Sequence, residues 1–424
     1  MNEKDHLHFE TLSIHAGDER GMGTPLAIPI TQTVAYRFKS IADAANLFSL
    51  EAEGSIYSRL TNPTVEILEK RIAALEGGIG AVAVSSGLAA NLLALFPLMG
   101  PGLEFIASNR LYGGSIAQFH EAFEKFGWHC HFVNIDDFEG IKNLITEKTR
   151  AIFCESQANP STHIADIEIL AEIAHTHDIP LIVDNTIPSP YLIKPFLWGA
   201  DIVVHSTTKF INGHGTSMGG IVVDGGTFPW KDQPHFQSLH QPSGSYHGLQ
   251  FIEKFPNAAY ITYARSVGLR DLGFCQSAFN AFDTLKGIDT LSLRMEKHVK
   301  NGLKIATFLE KHPQIEKVHY AGLPGSPYFK RAQKYSPQGI SPVFCFDLKG
   351  GYDAGVKLVE NCKLFAHAAT IGEATSLIIH PASTTHKQLE EGQLKSAGIS
   401  PNTIRLSVGI ENVDDLIQDL EKAL

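Results

Sequence analysis

Lys209 stands in the run His205-Ser206-Thr207-Thr208-Lys209, five residues beyond Val204, which closes an apolar stretch, and ahead of Gly213, Gly215, Gly219 and Gly220. A lysine held in a pocket near a strand end can lose its proton and attack an aldehyde; the plain alternative is a solvated loop lysine. Ser206 and Thr208 place two hydroxyls beside it that can donate to a phosphate, or serve as ordinary turn residues. Upstream, Ser85-Ser86-Gly87-Leu88-Ala89-Ala90-Asn91 follows the apolar Ala81 to Val84 and leads into a helical pattern through Leu95. Such a strand-turn-helix entry points backbone N–H groups at an anion, and a glycine allows close approach. Asp184 follows Leu181-Ile182-Val183, 25 residues before Lys209. A carboxylate there can hold a proton on the nitrogen of a bound heterocycle or cap a helix, and Pro188 and Pro190 argue against an immediate helix. Tyr112, before Gly113 and Gly114, offers a ring that can stack on a flat ligand or simply pack. Arg405, in Ile404-Arg405-Leu406, offers a fork matching a carboxylate, of a substrate or of an ordinary ion pair.

These residues need elements to hold them. From about residue 66, helical patterns alternate with short runs rich in Val, Ile and Phe, which predicts an α/β fold with a largely parallel sheet. The spacing predicts strands over 105–107, 130–133, 151–154, 181–183, 202–204 and 220–223, and helices over 115–126, 137–146 and 164–177. Ligands in such sheets collect at the carboxyl ends of strands. Glu155, Asp184 and His205-Ser206 each directly follow an apolar run. Residues 1–65 lack the alternation and predict an extended arm that must lie on another surface. Residues 229–257, rich in Pro, Gly, Ser, His and aromatics, predict a long loop bordering a pocket. Beyond about 266, a helical pattern through Glu310 leads to strand-like runs at 341–348 and 403–408, predicting a smaller α+β domain.

With 424 residues, 43% of them hydrophobic, the chain has material for two domains and a sizeable core. A formal charge of −10 with no long basic run argues against nucleic acid. No apolar run is long enough to span a membrane, and the polar start Met1 to His8 lacks a secretion pattern. The five cysteines lie far apart, as suits reduced thiols in the cytoplasm. Among the 20 histidines, neither His129-Cys130-His131 nor the pair His175 and His177 has a complete ligand set, so no metal is expected.

Taken in order, the motifs resemble the pyridoxal-phosphate enzymes of cysteine and methionine metabolism. The resemblance runs from Ser13-Ile14-His15-Ala16-Gly17 through Tyr57-Ser58-Arg59-Leu60-Thr61-Asn62-Pro63-Thr64 and 201–220 to Arg405 through Glu411. It implies a fold type I, aspartate-aminotransferase-like architecture: an arm (1–65), a pyridoxal-phosphate-binding domain (66–265) on a mostly parallel seven-stranded sheet, and a C-terminal α+β domain (266–424). It also implies pyridoxal 5′-phosphate held as a Schiff base by Lys209, with Asp184 on the pyridine nitrogen and Tyr112 stacked on the ring. Ser86, Gly87, Leu88, Ser206 and Thr208 match phosphate-binding positions. Tyr57 and Arg59 match the pair that reaches the phosphate from a neighbouring subunit, implying a homo-oligomer, a tetramer of shared sites. Asn159, Ser376 and Arg405 match positions around the substrate carboxylate. Gly213-His214-Gly215-Thr216-Ser217, Ser245-Tyr246-His247-Gly248 and His380-Pro381-Ala382-Ser383-Thr384-Thr385-His386 resemble the branch that acts on O-acetyl-L-homoserine with sulfide or a small thiol. The alternatives are a methionine γ-lyase or a cystathionine γ-synthase-like enzyme; γ-lyases commonly carry cysteine where this chain has Gly114.

Overall fold

The computed structural model describes residues 7–384 and 400–424, so Thr385 and His386 of the last motif lie outside the described residues. The strands of the first sheet are β1 (Gly80–Val84), β2 (Glu104–Ser108), β3 (His129–Val133), β4 (Thr149–Glu155), β5 (Leu181–Asp184), β6 (Ile202–His205) and β7 (Gly220–Asp224). Their order is β1-β7-β6-β5-β4-β2-β3. The block from β6 to β3 is parallel, and β7 runs antiparallel to both of its neighbours. Strands β4, β6 and β7 are buried along their whole length, which is why their sequences read as unbroken apolar runs. Five further strands, β8 (Ile315–His319), β9 (Val343–Leu348), β10 (Ala366–His367), β11 (Leu377–Ile379) and β12 (Thr403–Ser407), form a second, smaller sheet of order β10-β11-β12-β9-β8.

The helix Pro63–Glu76 starts where its sequence says it should. Asn62 accepts the N–H groups of Thr64 and Val65, proline occupies the first turn, and Gly77 ends it in the left-handed region at φ 89°. Its Leu68, Ile72 and Leu75 are fully buried against Ala83, Val203, Ile221 and Val223. Each contributes roughly 1.5–3 kcal/mol of apolar burial. This helix is the floor beneath one end of the first sheet.

Three predicted segments take a different form. Residues 7–62 include two short helices, Phe9–His15 and Ile41–Phe48, the first packed on Pro63–Glu76. The predicted helix over 115–126 is an α turn, Gly113–Ala117, followed by a π segment, Gln118–Ala122, and a 3₁₀ turn, Glu124–Phe126. Residues 229–257 are no open loop. Trp230, Phe236, Leu239 and Phe251 are buried, and Trp230 stacks on Tyr260 with centroids 5.1 Å apart, so the aromatics that obscured any periodicity build a core of their own.

Candidate active site

The carboxyl ends of β4, β5 and β6 and the turn after β1 converge on one region. Ser86 caps the helix Gly87–Leu95 by accepting the Ala89 N–H at 3.2 Å. The N–H groups of Gly87 and Leu88 are left without intrahelical acceptors, which makes them anion donors. A Cβ on Gly87 would meet Ser206 Cβ at 2.7 Å, so only glycine lets the two turns close on each other. Ser206 N–H donates to Thr186 Oγ1 at 2.8 Å, and Thr208 Oγ1 accepts the Gly219 N–H at 3.1 Å, pinning the turn that carries Lys209.

Lys209 Nζ donates to Thr370 Oγ1 at 3.1 Å. Burial lowers the pKa of the amine, with Arg405 assisting and Glu373 opposing. A neutral amine, the nucleophilic form, is thereby favoured. Arg405 on β12, 7% exposed, donates from Nη2 to the Thr370 carbonyl at 3.0 Å. Burial lowers its pKa to about 10, which leaves it charged at neutral pH.

Asp184 ends β5, its Oδ1 accepting the Thr186 N–H at 2.9 Å. Glu155 faces it in register at the end of β4. Burial raises the pKa of Asp184, with hydrogen bonds from Thr186 opposing. Burial raises Glu155 well above the ordinary range, and the Asp184 charge adds to that. The Glu155 oxygens accept the N–H groups of Tyr112 at 2.5 Å and Asn159 at 3.3 Å, which sets both residues beside Asp184. The Tyr112 ring is half exposed and lies against Gly114, where a Cβ would strike it.

The structure thus brings together Lys209, Asp184, Tyr112, Asn159, Ser86, Gly87, Leu88, Ser206, Thr208 and Arg405. Ser376 is a correction. It is fully buried, its hydroxyl donating to Glu411 at 2.8 Å and accepting the Gly409 N–H at 2.8 Å, so it is bound to the 409–411 turn and not to Lys209 or Arg405. Thr370, six residues upstream and not singled out by sequence, is the residue that touches both Lys209 and Arg405. Tyr57 and Arg59 line a cavity of about 350 Å³ with Thr31, Val34, Asn62, Cys275 and Gln276, and Cys275 bridges Val84 at the end of β1.

A polar cradle, a lysine of lowered basicity and a carboxylate opposite describe the donor set of a phosphorylated aldehyde carrying a basic ring nitrogen. Asn159 Oδ1 adds a buried acceptor with no partner among the described residues, and Gly87 lets its turn close on Ser206. The residues fit pyridoxal phosphate. Residues 10–424 match the model of the Cys/Met metabolism PLP-dependent enzymes. The chain belongs to this family. It is therefore a pyridoxal-phosphate-dependent enzyme, and its two sheets form the fold type I architecture that the motifs implied. It is 47% identical to the O-acetyl-L-homoserine sulfhydrylase of Leptospira meyeri over 98% of this chain and 96% of that protein. It is 45% identical to O-acetyl-L-homoserine sulfhydrylase 1 of Thermus thermophilus, over 99% and 100% of the two chains. In structure it is similar to a putative O-acetylhomoserine (thiol)-lyase from Campylobacter jejuni whose crystals contain N′-pyridoxyl-lysine-5′-monophosphate. The TM-score is 0.95 and the identity 39%, covering 98% of this chain and 99% of that one.

Proposed function

We propose that this enzyme replaces the acetate of O-acetyl-L-homoserine with sulfide or a small thiol, giving L-homocysteine and acetate when sulfide is the donor. The observation that carries the reading is the Lys209 amine donating to the Thr370 hydroxyl while Arg405 donates to the Thr370 carbonyl, in a chain whose full-length relatives are named for that activity. When bound, pyridoxal phosphate supplies an aldehyde for covalent attachment to Lys209 and a ring that withdraws electrons from the substrate carbons.

The protein does the rest. The N–H groups of Gly87 and Leu88 and the hydroxyls of Ser86, Ser206 and Thr208 hold the phosphate. Arg405 and the Thr370 hydroxyl receive the substrate carboxylate, the part expected of Ser376, while Asn159 Oδ1 orients a neighbouring polar group. Freed by the incoming substrate amine, Lys209 Nζ takes the proton from Cα. Having passed that proton on, Lys209 Nζ would take a second from Cβ, acetate would leave Cγ with the electron pair of the C–O bond, and sulfide would bond to Cγ. Lys209 returns protons to the carbons in reverse order. Asp184 keeps a proton on the ring nitrogen throughout, and the Tyr112 ring covers the face. Gly114 stands where γ-lyases commonly carry cysteine, which weighs against the γ-lyase alternative.

Tyr57 and Arg59 complete the phosphate site of a neighbouring subunit, in a homotetramer of shared sites. Supporting this is the exposure of Met22, Leu26 and Ile41 on the arm, apolar side chains that a neighbouring subunit would cover. In domain terms, 1–65 is the arm, 66–265 binds the cofactor and 266–424 contributes Thr370 and Arg405. The five free cysteines, three of them buried, suit the cytoplasm, and no helix among the described residues is long and apolar enough to cross a membrane.

The deciding assay offers O-acetyl- and O-succinyl-L-homoserine with sulfide, cysteine or no thiol, and identifies the products. Homocysteine and acetate from the acetyl ester and sulfide are expected. Cystathionine from cysteine as the main product, or 2-oxobutyrate without homocysteine, would overturn the assignment.

A further inference from the structure

Glu76 is the last residue of the helix Pro63–Glu76 and its side chain is fully buried. That is a costly place for a carboxylate, at the negative end of the helix dipole and away from water. One of its oxygens, Oε1, accepts two hydrogen bonds, from His205 Nε2 at 2.6 Å and from Asn185 Nδ2 at 2.9 Å. His205 closes β6, four residues before Lys209, and Asn185 follows Asp184 directly. Asn185 is itself oriented by Ser156, whose hydroxyl donates to Asn185 Oδ1 at 2.7 Å, and Asn185 N–H donates to the Val204 carbonyl at 2.9 Å. Ser156 N–H in turn donates to the Asp184 carbonyl at 3.0 Å. A single carboxylate oxygen therefore ties the residues behind the ends of β5 and β6 to the helix below.

We propose that Glu76 is a positioning residue for the cofactor: acting through His205 and Asn185, it fixes the spacing between Asp184 and the Ser206–Lys209 turn. Side chains alternate across a strand, so Asp184 and Ser206 meet the ligand while Asn185 and His205 turn to the opposite face, where Glu76 waits. Packing alone would be served as well by an apolar residue in so dry a place. The carboxylate earns its position by accepting two donors at once, which no apolar side chain can do.

The inference rests on Lys209 and Asp184 as cofactor contacts and not on which homoserine ester is used. The test compares Glu76→Leu, Glu76→Gln and wild type as holoenzymes, each normalised to bound pyridoxal phosphate. Three quantities are measured: the visible absorption band of the lysine-linked cofactor, the affinity of the cofactor-free protein for pyridoxal phosphate, and kcat and KM. Glu76→Leu should shift the band, weaken cofactor binding and lower kcat roughly 10–100-fold with KM little changed, as expected of small misplacements around a reacting centre. Glu76→Gln, whose amide oxygen can accept both donors, should recover most of that loss. If Glu76→Leu is recovered only as aggregate, Asn185→Ala, which removes one donor, takes its place with the same readouts. A lower melting temperature with an unchanged band and unchanged kcat per bound cofactor would make the role merely structural and overturn the proposal. Loss of the band in Lys209→Ala reports separately on the assignment of Lys209.

Discussion

At the scale of the residue, the division of labour between Thr370 and Ser376 can be tested directly. Thr370→Val removes a hydroxyl that faces Lys209 and the proposed carboxylate subsite, and should raise KM for the amino-acid substrate about tenfold, the effect of one lost hydrogen bond to a charged group. Ser376→Ala instead breaks the Glu411 cluster, and should lower the melting temperature with KM unchanged. Asp184→Ala should leave a protein that still binds cofactor but turns over at least about 100-fold more slowly, because the ring loses its electron-withdrawing state; a near-normal rate would refute its role. A different buried carboxyl governs stability. Burial pushes Asp224, at the end of β7, up to about 7, while its Oδ1 accepts the Gly226 N–H at 2.9 Å and its Oδ2 has no partner. Its folded pKa lies above the ordinary aspartate value, so its contribution is complete below that ordinary value and is lost as pH rises towards about 7. Thermal denaturation across that window should show Asp224→Asn losing less stability than wild type. Lys209, Asp184 and Arg405 were legible in the sequence because each stands at the end of, or within, a short apolar run. Thr370 was not, since it sits in an irregular stretch between two- and three-residue strands with no period to mark it. Glu76 was hidden for the opposite reason, as one more acidic residue in a regular helix.

At the scale of the element, what the sequence displays depends on how each element is buried. The central strands are enclosed on both faces and are readable as apolar runs, so all six strands predicted for the first sheet are present. The second sheet was only partly visible. Its β10 and β11 are two and three residues long, too short for any pattern, and β8 is exposed along half its length. The aromatic segment 229–257 went unrecognised as packed structure because its turns of helix are four residues or shorter. The turn after β1 was legible from its glycine. Gly87→Ala should force Ser206 away and weaken pyridoxal phosphate binding at least about tenfold, roughly 1.4 kcal/mol, measured by titrating the cofactor-free protein. Unchanged affinity would mean that the Ser86–Leu88 turn is not the phosphate cradle.

At the scale of the whole molecule, the proposed sharing of sites between subunits makes a prediction that no single chain can satisfy. Arg59→Ala and Lys209→Ala should each be inactive, yet unfolding and reassembling the two together should restore roughly a quarter of the sites, those that pair an intact Lys209 with an intact Arg59 from its neighbour. No recovery on mixing would place Arg59 in its own subunit's site. In this structure Arg59 leans on the protein by donating to the Arg270 carbonyl, and its guanidinium lies 5.3 Å from the Tyr57 ring centroid, a braced pair held ready at the surface.

The strand order carries a consequence for how such a protein is made. β1 is the first strand of its sheet to emerge from the ribosome, but its ladder partner β7 comes some 140 residues later, and Cys275, which bridges Val84, and Phe274, whose carbonyl accepts the Ser85 N–H, later still. Until residue 224 has been synthesised, β1 is an apolar strand with two open edges, exposed to aggregation or to a chaperone. The turn after β1 can therefore be completed only once residues 224 and 275 have been translated, and the Thr370–Arg405 pair comes later still. A nascent chain stalled between Cys275 and Thr370 should be unable to hold substrate.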